Sequence, residues 1–343
     1  MSFMGLSRRA LTSLTVLSCL GFVPASAGAT SFSLGAAGNF VLLGDNATYM
    51  GTGGGATEIA GNIGVGSGGH LTVNGSTIIN GSIVFADAVT ASNYTNTGAT
   101  LNGGAPTQDS SLVNSALDAL CNHTNSETGA CGAGSVYSTA LSVYNSAAAT
   151  TTLSSTTTLT AGNYNYANVD LNSDTITFSG SSSDFIIINV QDELKINNSN
   201  FTLTGGISAD HILWNLIRNQ DDSSVNAAKG VTIGGAKTEL VGVFLALDRK
   251  ITFSDTCSAD VNNNNYVAGC DNQARIFGGN SATNSNDFSF VSGANIRAGS
   301  GAIGINGTVP PVGGAVPEPS SLILLGTGIA GAVGLARRRA RKP

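Results

Sequence analysis

Ile176-Thr177-Phe178, Phe201-Thr202-Leu203, Val231-Thr232-Ile233 and Ile251-Thr252-Phe253 are four copies of one unit, an apolar–Thr–apolar triplet. Their threonines stand 25, 30 and 20 residues apart. They sit in a stretch, Asn168 to Phe253, of short apolar clusters with Gly, Asn, Asp or Ser between nearly every pair. Such spacing and turn chemistry describe a sandwich, a barrel or a β-solenoid. The triplet favours the solenoid, because its spacing is about the length of one coil in a stack. In a strand the two apolar side chains point one way and the threonine the other. The apolar pairs then fill a continuous core, and the threonines stay outside on one face if the coils align.

Upstream, Phe32–Ala86 reads as a first β-rich block with a fifth copy of the unit, Leu71-Thr72-Val73. Its glycines precede no Gly-Lys-Ser/Thr and no helix signal, so they read as turns and not as a phosphate loop. Between the two blocks lies the one helical pattern. Leu112, Ala116 and Leu120 are spaced by four, with Asp109-Ser110-Ser111 as N-cap, and Val136, Ala140, Leu141 and Tyr144 follow after a turn. This predicts helices Gln108–Cys121 and Ser135–Ala148, an insertion over about 108–148 that covers a flank of the β body.

Only 10% of the chain is charged, against 45 glycines, which suits a secreted β-rich surface protein better than a cytosolic enzyme. Of the 15 Lys and Arg, two lie at the N-terminus and five at the C-terminus, and none falls between Gly28 and Leu194. A nucleic-acid surface needs clustered cations, so that class is excluded.

Both ends read as addresses. Arg8-Arg9, the apolar run Ala10–Val23 and then Ala25-Ser26-Ala27 form a secretory signal over 1–27, with cleavage after Ala27. At the other end Pro317-Glu318-Pro319, the apolar run Leu322–Ala336 and Arg337-Arg338-Arg339 follow in order. That run is short for a bilayer, and its arginines favour a cytoplasmic end. These three parts resemble the PEP-CTERM sorting signal of Gram-negative bacteria, assigned to 317–343 behind a linker at 310–316. The resemblance implies transient inner-membrane anchoring, processing by a transpeptidase-like exosortase near the Pro-Glu-Pro, and delivery to the cell surface or extracellular matrix.

Cys19 leaves with the signal, and the remaining four cysteines form two local pairs, Cys121/Cys131 and Cys257/Cys270. An even count in an exported protein favours disulfides. Three connectivities are open, the local one being simplest, and neither pair has zinc spacing. Asp260, Asn262, Asn264 and Asp271 fall at calcium-loop positions one, three, five and twelve, but position six is Asn265 and the twelfth residue is not Glu. A disulfide-closed loop is the better reading, and no cofactor is expected. Of the histidines, His70 follows Gly68-Gly69, His123 sits by a cysteine in a turn and His211 leads a strand, and no Gly-x-Ser-x-Gly or His-Glu-x-x-His occurs. Asp192-Glu193 and Asp221-Asp222 read as solvated charge, so no catalytic residue is assigned.

Leu34–Phe40, Ile59–Val65, Ser208–Asn215, Gly242–Ala246 and Arg275–Asn280, in that order, resemble the choice-of-anchor A adhesive domains. More distantly they are similar to ice-binding-protein-like β-solenoids. The resemblance implies a mainly β fold over 28–309, a right-handed solenoid with one or two helices alongside. It also implies an adhesive or matrix role toward exopolysaccharide or neighbouring cells, or ice binding. For ice binding the candidate face is Thr72, Thr177, Thr202, Thr232 and Thr252. A polysaccharide-active enzyme is the third reading and needs acids converging in a groove.

Overall fold

The strand Ile186–Asn197 shows how a coil is made. Its first half pairs in parallel with Ile212–Leu216, and its second half, from Leu194, pairs with Val231–Gly234. The chain then turns through Asn198, at φ 49°, into Asn200–Thr204, which pairs with Thr175–Ser179 on a third sheet. Ser173, at φ 64°, makes the same corner one coil earlier. Short polar side chains tolerate that left-handed conformation. Three parallel faces result, and the core between them is filled by alternate residues of each strand. The computed structural model describes residues 30–297 apart from 45–47, 51–56, 76, 123–129, 226–228, 236–237, 255–272, 279–287 and 293–294. The segments 1–27, 310–316 and 317–343, the loop Asp260–Asp271, Cys257, Cys270 and His123 lie outside the described residues.

The coils are not stacked in chain order. Leu42–Gly44, Ile63–Val65, Ile83–Phe85 and Thr107–Gln108 run from the middle of the stack to one end. After the helices the chain restarts at the opposite end with Thr152–Leu153 and Gly162–Asn172, and winds back toward the middle. There Gln273–Gly278 pairs with Leu42–Gly44, Phe288–Ser292 meets Thr48–Met50, and Asn295–Arg297 pairs with Glu58–Ala60. The first block is thus docked onto the last coil.

One face is apolar on both sides. Ile212–Leu216 and Val241–Ala246 are buried along their whole length. Their inward residues, such as Trp214 and Phe244, enter the core; Leu213, Val243 and Leu245 point outward under the helices. A sheet covered on both sides gives continuous apolar runs instead of alternation. The core side is layered by aromatics: Trp214 stacks on Phe244 at 5.7 Å and meets Phe178 and Phe201 edge-on at 5.9 and 5.7 Å.

Helix α1, Ser110–Leu120, and helix α2, Val136–Ser142, lie on this face through Val113, Ala116, Leu117, Leu120, Val136, Tyr137 and Ala140. The Asp109 carboxylate caps α1 by accepting from the Leu112 N–H at 2.9 Å. Both helices are shorter than the sequence pattern predicts. Gln108 belongs to a strand beside Phe85, and α2 stops at Ser142 where the predicted span ran to Ala148. Beyond it Tyr144 turns to donate to Asp222 at 2.7 Å, and Asn145 starts a separate 3-10 turn, Ser146–Ala148, by accepting from the Ala147 N–H.

Candidate ligand-binding surface

The two uncovered faces carry the outward threonines, and the structure divides the five between them. Thr177 and Thr202 are register partners on the third face, together with Thr158. Thr232 and Thr252 are partners on the open face, where Thr72 aligns with Thr95 farther along the same sheet. The spacings explain the split. Thr177 to Thr202 and Thr232 to Thr252 are single coils that return to the same face. Thr202 to Thr232 passes only two corners, plus the insertion between Ile217 and Gly230, and so changes face.

On the third face Thr158–Thr177–Thr202 and Thr160–Ser179–Thr204 form two rows of hydroxyls over three strands. Inward Leu159, Ile176, Phe178 and Phe201 fix their direction, since all four are buried. Strand pairing sets the hydroxyls ~4.8 Å apart along a row, and the two-residue repeat sets the rows ~6.6 Å apart.

On the open face the row through Thr232 and Thr252 continues to Lys195 and Asp170. Lys195 Nζ lies 3.8 Å from Asp170 Oδ1, both side chains being about half exposed (50% and 55%). Beside them the Asn197 amide donates to Asn172 Oδ1 at 3.1 Å, and the Asp174 carboxylate accepts from the Asn172 N–H at 2.9 Å. With Ser154 these residues line a groove of about 420 Å³. It offers carboxylate acceptors, amide groups of both kinds and one ammonium, which together match a hydroxyl-rich ligand. An exposed ion pair of this kind contributes little to stability, so the fold does not depend on it.

The other titratable groups serve the architecture. His70 Nδ1 contacts the Ser92 carbonyl at 2.8 Å, and His211 stacks on Phe185 with Nδ1 at 3.1 Å from the Asp184 carbonyl. Asp221 and Asp222, which the sequence pattern presents as solvated charge, instead hold the helices to the sheet. Asp221 accepts from Tyr137 at 2.8 Å and from Arg218 Nε at 2.7 Å, and Arg218 lies over the Tyr137 ring at 4.6 Å. Burial pushes the Tyr137 hydroxyl well above its ordinary value, and burial, then the Asp222 contact, does the same to Tyr144. Both tyrosines therefore remain donors. Cys121 and Cys131 are bonded to each other and close the turn between the helices. Among the described residues no group of three or more His, Cys, Asp or Glu is arranged to hold a metal ion. Among them also, no helix is long and apolar enough to cross a membrane.

Sequence reasoning missed the buried arginines. Arg249 donates to the carbonyls of Lys229, Asp192, Ile217 and Gln191, and Arg275 to that of Phe40. The one available signal was the isolation of Arg275 in a strand-like apolar run; Arg249, between Asp248 and Lys250, gave none.

A three-faced solenoid with one helix-covered side and two polar faces is the class of domain defined by this fold and surface. Residues 29–262 match the family described as "Putative Ice-binding-like adhesive domain", and the chain belongs to that family. Residues 315–340 match the PEP-CTERM protein-sorting motif, which implies export to the cell surface or beyond and exosortase processing. Solved structures similar to this chain include an ice binding protein from an Antarctic biological consortium. It is 18% identical with a TM-score of 0.43, and the match covers 80% of this chain and 94% of that one. Another is a glycosylated ice-binding protein from Arctic yeast, 18% identical, TM-score 0.41, covering 78% and 94%. A third is the DUF3494 domain of Shewanella frigidimarina ice-binding protein_1, 16% identical, TM-score 0.43, covering 79% and 99%. Among curated proteins none matches the chain.

Proposed function

We propose that this is a cell-surface or extracellular-matrix protein of a Gram-negative bacterium, anchored transiently in the inner membrane through 317–343 and then released by exosortase. Its solenoid acts as an adhesive module that holds polysaccharide, in the matrix or on a neighbouring cell, against the open face. The observation that carries this reading is the groove of Ser154, Asp170, Asn172, Asp174, Lys195 and Asn197. Its donors and acceptors are exposed or half-buried, prearranged by three adjacent coils, and free of a role in the core. The test is retention of the exported protein on exopolysaccharide from the producing cell, compared with Asp170→Ala/Lys195→Ala. The variant is expected to lose binding at least tenfold while keeping its melting temperature. Equal retention of both proteins refutes the groove as the contact.

The hydroxyl grid of the third face supports a second reading, ice binding. Threonine suits strands on its own account, and on the open face Lys195 and Asp170 put charge into the row of Thr232 and Thr252. The third face is the cleaner candidate. Ice-recrystallisation inhibition that is lost in Thr177→Tyr/Thr202→Tyr, and kept in Thr232→Tyr/Thr252→Tyr, places the activity there. No inhibition by the parent removes this reading.

A further inference from the structure

Because the first block docks onto the last coil, both ends of the stack are made of internal segments. One end consists of Tyr94–Thr97, Thr100–Leu101 and Thr107–Gln108, and each has a single strand partner among the described residues. The other consists of Thr152–Leu153, Thr157–Thr160 and the first half of Gly162–Asn172, again each with one partner among those residues. Each end therefore presents strand edges on its faces, the 3-10 turn Ser146–Ala148 lying beside that of Gly162–Asn172. All strands of a face run in the same direction, so a second copy shifted along the axis meets each edge with a parallel strand. The winding order also continues. The first copy ends on the helix-covered face with Thr107–Gln108, and the next begins on the open face with Thr152–Leu153.

Exposed edges are usually guarded by lysine or other charges, which keep copies apart. Here the guards are missing at both ends. No Asp, Glu, Lys, Arg or His occurs from Ala88 to Gln108, or from Thr128 to Val169. Half-covered apolar groups lie behind the edges: Val89, Tyr94 and Leu101 at one end, and Tyr164 with Tyr166, stacked at 6.4 Å, at the other. The molecule already contains the required junction, because Gln273–Gly278 on Leu42–Gly44 is an axial contact between two blocks joined only through the distant helices.

We infer that copies of this chain stack end to end, the edges of Tyr94–Thr97, Thr100–Leu101 and Thr107–Gln108 pairing with Thr152–Leu153, Thr157–Thr160 and Gly162–Asn172 of the next copy. The contact is head-to-tail and does not close, so it produces filaments. With nine strands per copy along the helix-covered face, the axial repeat is ~43 Å at ~4.8 Å per strand. This goes beyond the adhesive reading and does not depend on the groove.

The test uses the full chain, exported and processed by its host, in sedimentation velocity and electron microscopy. Thr95, Thr100, Thr152 and Thr158 are exposed at the two ends. Changing all four to Lys sets like charges against each other across the contact. The parent is expected to form rods with the ~43 Å repeat, and the four-lysine variant to lose every species above the monomer. Thr95→Glu/Thr100→Glu with Thr152→Lys/Thr158→Lys sets opposite charges together and is expected to assemble at low salt and dissociate at high salt. That variant keeps the test decisive if the four-lysine protein fails to fold. A monomeric parent at every soluble concentration, rods that persist in the four-lysine variant, or side-by-side sheets would each overturn the inference.

Discussion

Arg275 donates from Nη1 to the carbonyl oxygen of Phe40 at 2.7 Å, joining positions 235 apart in the sequence. The same guanidinium donates from Nε to Asp210 at 2.8 Å, while only 2% of the Arg275 side chain is exposed. One side chain thus ties the last coil to the first block and to the 3-10 turn Ala209–His211. Arg275→Ala strands the buried Phe40 carbonyl, a class of loss that costs ~1–3 kcal/mol, while the Asp210 carboxylate, 37% exposed, passes to water. In urea denaturation the variant is expected to unfold earlier, and amide exchange at Leu42–Gly44 to rise before that of Ile186–Asn197. Uniform loss of protection would mean that the junction is not the weak point.

The Cys121–Cys131 bond closes a ten-residue separation between α1 and α2. A loop of that size contributes about 2–3 kcal/mol by restricting the unfolded chain. The Arg218–Tyr137–Asp221 cluster lies at the same end of the helices, with Arg218 Nη1 3.6 Å from Cys121 Sγ, and its own hydrogen bonds do not require the S–S bond. Reduction is therefore expected to lower the melting temperature and leave the far-ultraviolet dichroism of the native state unchanged. Loss of helix signal on reduction would contradict this.

The apolar–Thr–apolar units announce parallel coils because strand alternation is a local property, and all five units do form strands with the threonine outward. The Asp109 cap is equally local. The face each unit occupies is not, since it depends on how many corners separate two units. A 30-residue gap that turns two corners with an insertion looks much like a long single coil. Parallel pairing also has no hairpin turn to mark it, so nothing near Leu42 points to Ile276 as its partner. The groove escaped for the same reason, because Asp170 and Lys195 become neighbours only after one complete coil.

Acid should weaken the helix attachment in a defined window. Asp222 accepts from Ser224, Tyr144 and Gln191, and these hydrogen bonds, Ser224 foremost, hold its carboxyl below the ordinary value. The Ser181 backbone N–H does the same for Asp184. Because the folded values lie below the unfolded one, near 3.9, the unfolded chain takes up protons first as pH falls. The stabilisation is complete above that value and is lost as pH drops through the folded one. Asp222→Asn should reduce the difference between urea midpoints at about pH 5 and about pH 3. An unchanged difference would mean that Asp222 is not coupled to folding.

Gly81 marks the tightest corner of the first block. A Cβ there would lie 2.1 Å from the Gly61 carbonyl oxygen, and one at Gly103 would lie 2.2 Å from that of Gly81. These contacts are with backbone, so no side chain can rotate away, and an added methyl has to push two coils apart. Overpacking of this kind costs typically 1–3 kcal/mol. The displacement would fall where Ile59 pairs with Ile79 and Ile79 with Leu101. Gly81→Ala is expected to melt earlier and to raise amide exchange in Ile78–Ile79 and Ile83–Phe85, with Ile212–Leu216 unaffected. Parent-like stability would show that the corner can open at no cost. The axial register of the first block would then not be set by these stacked glycines.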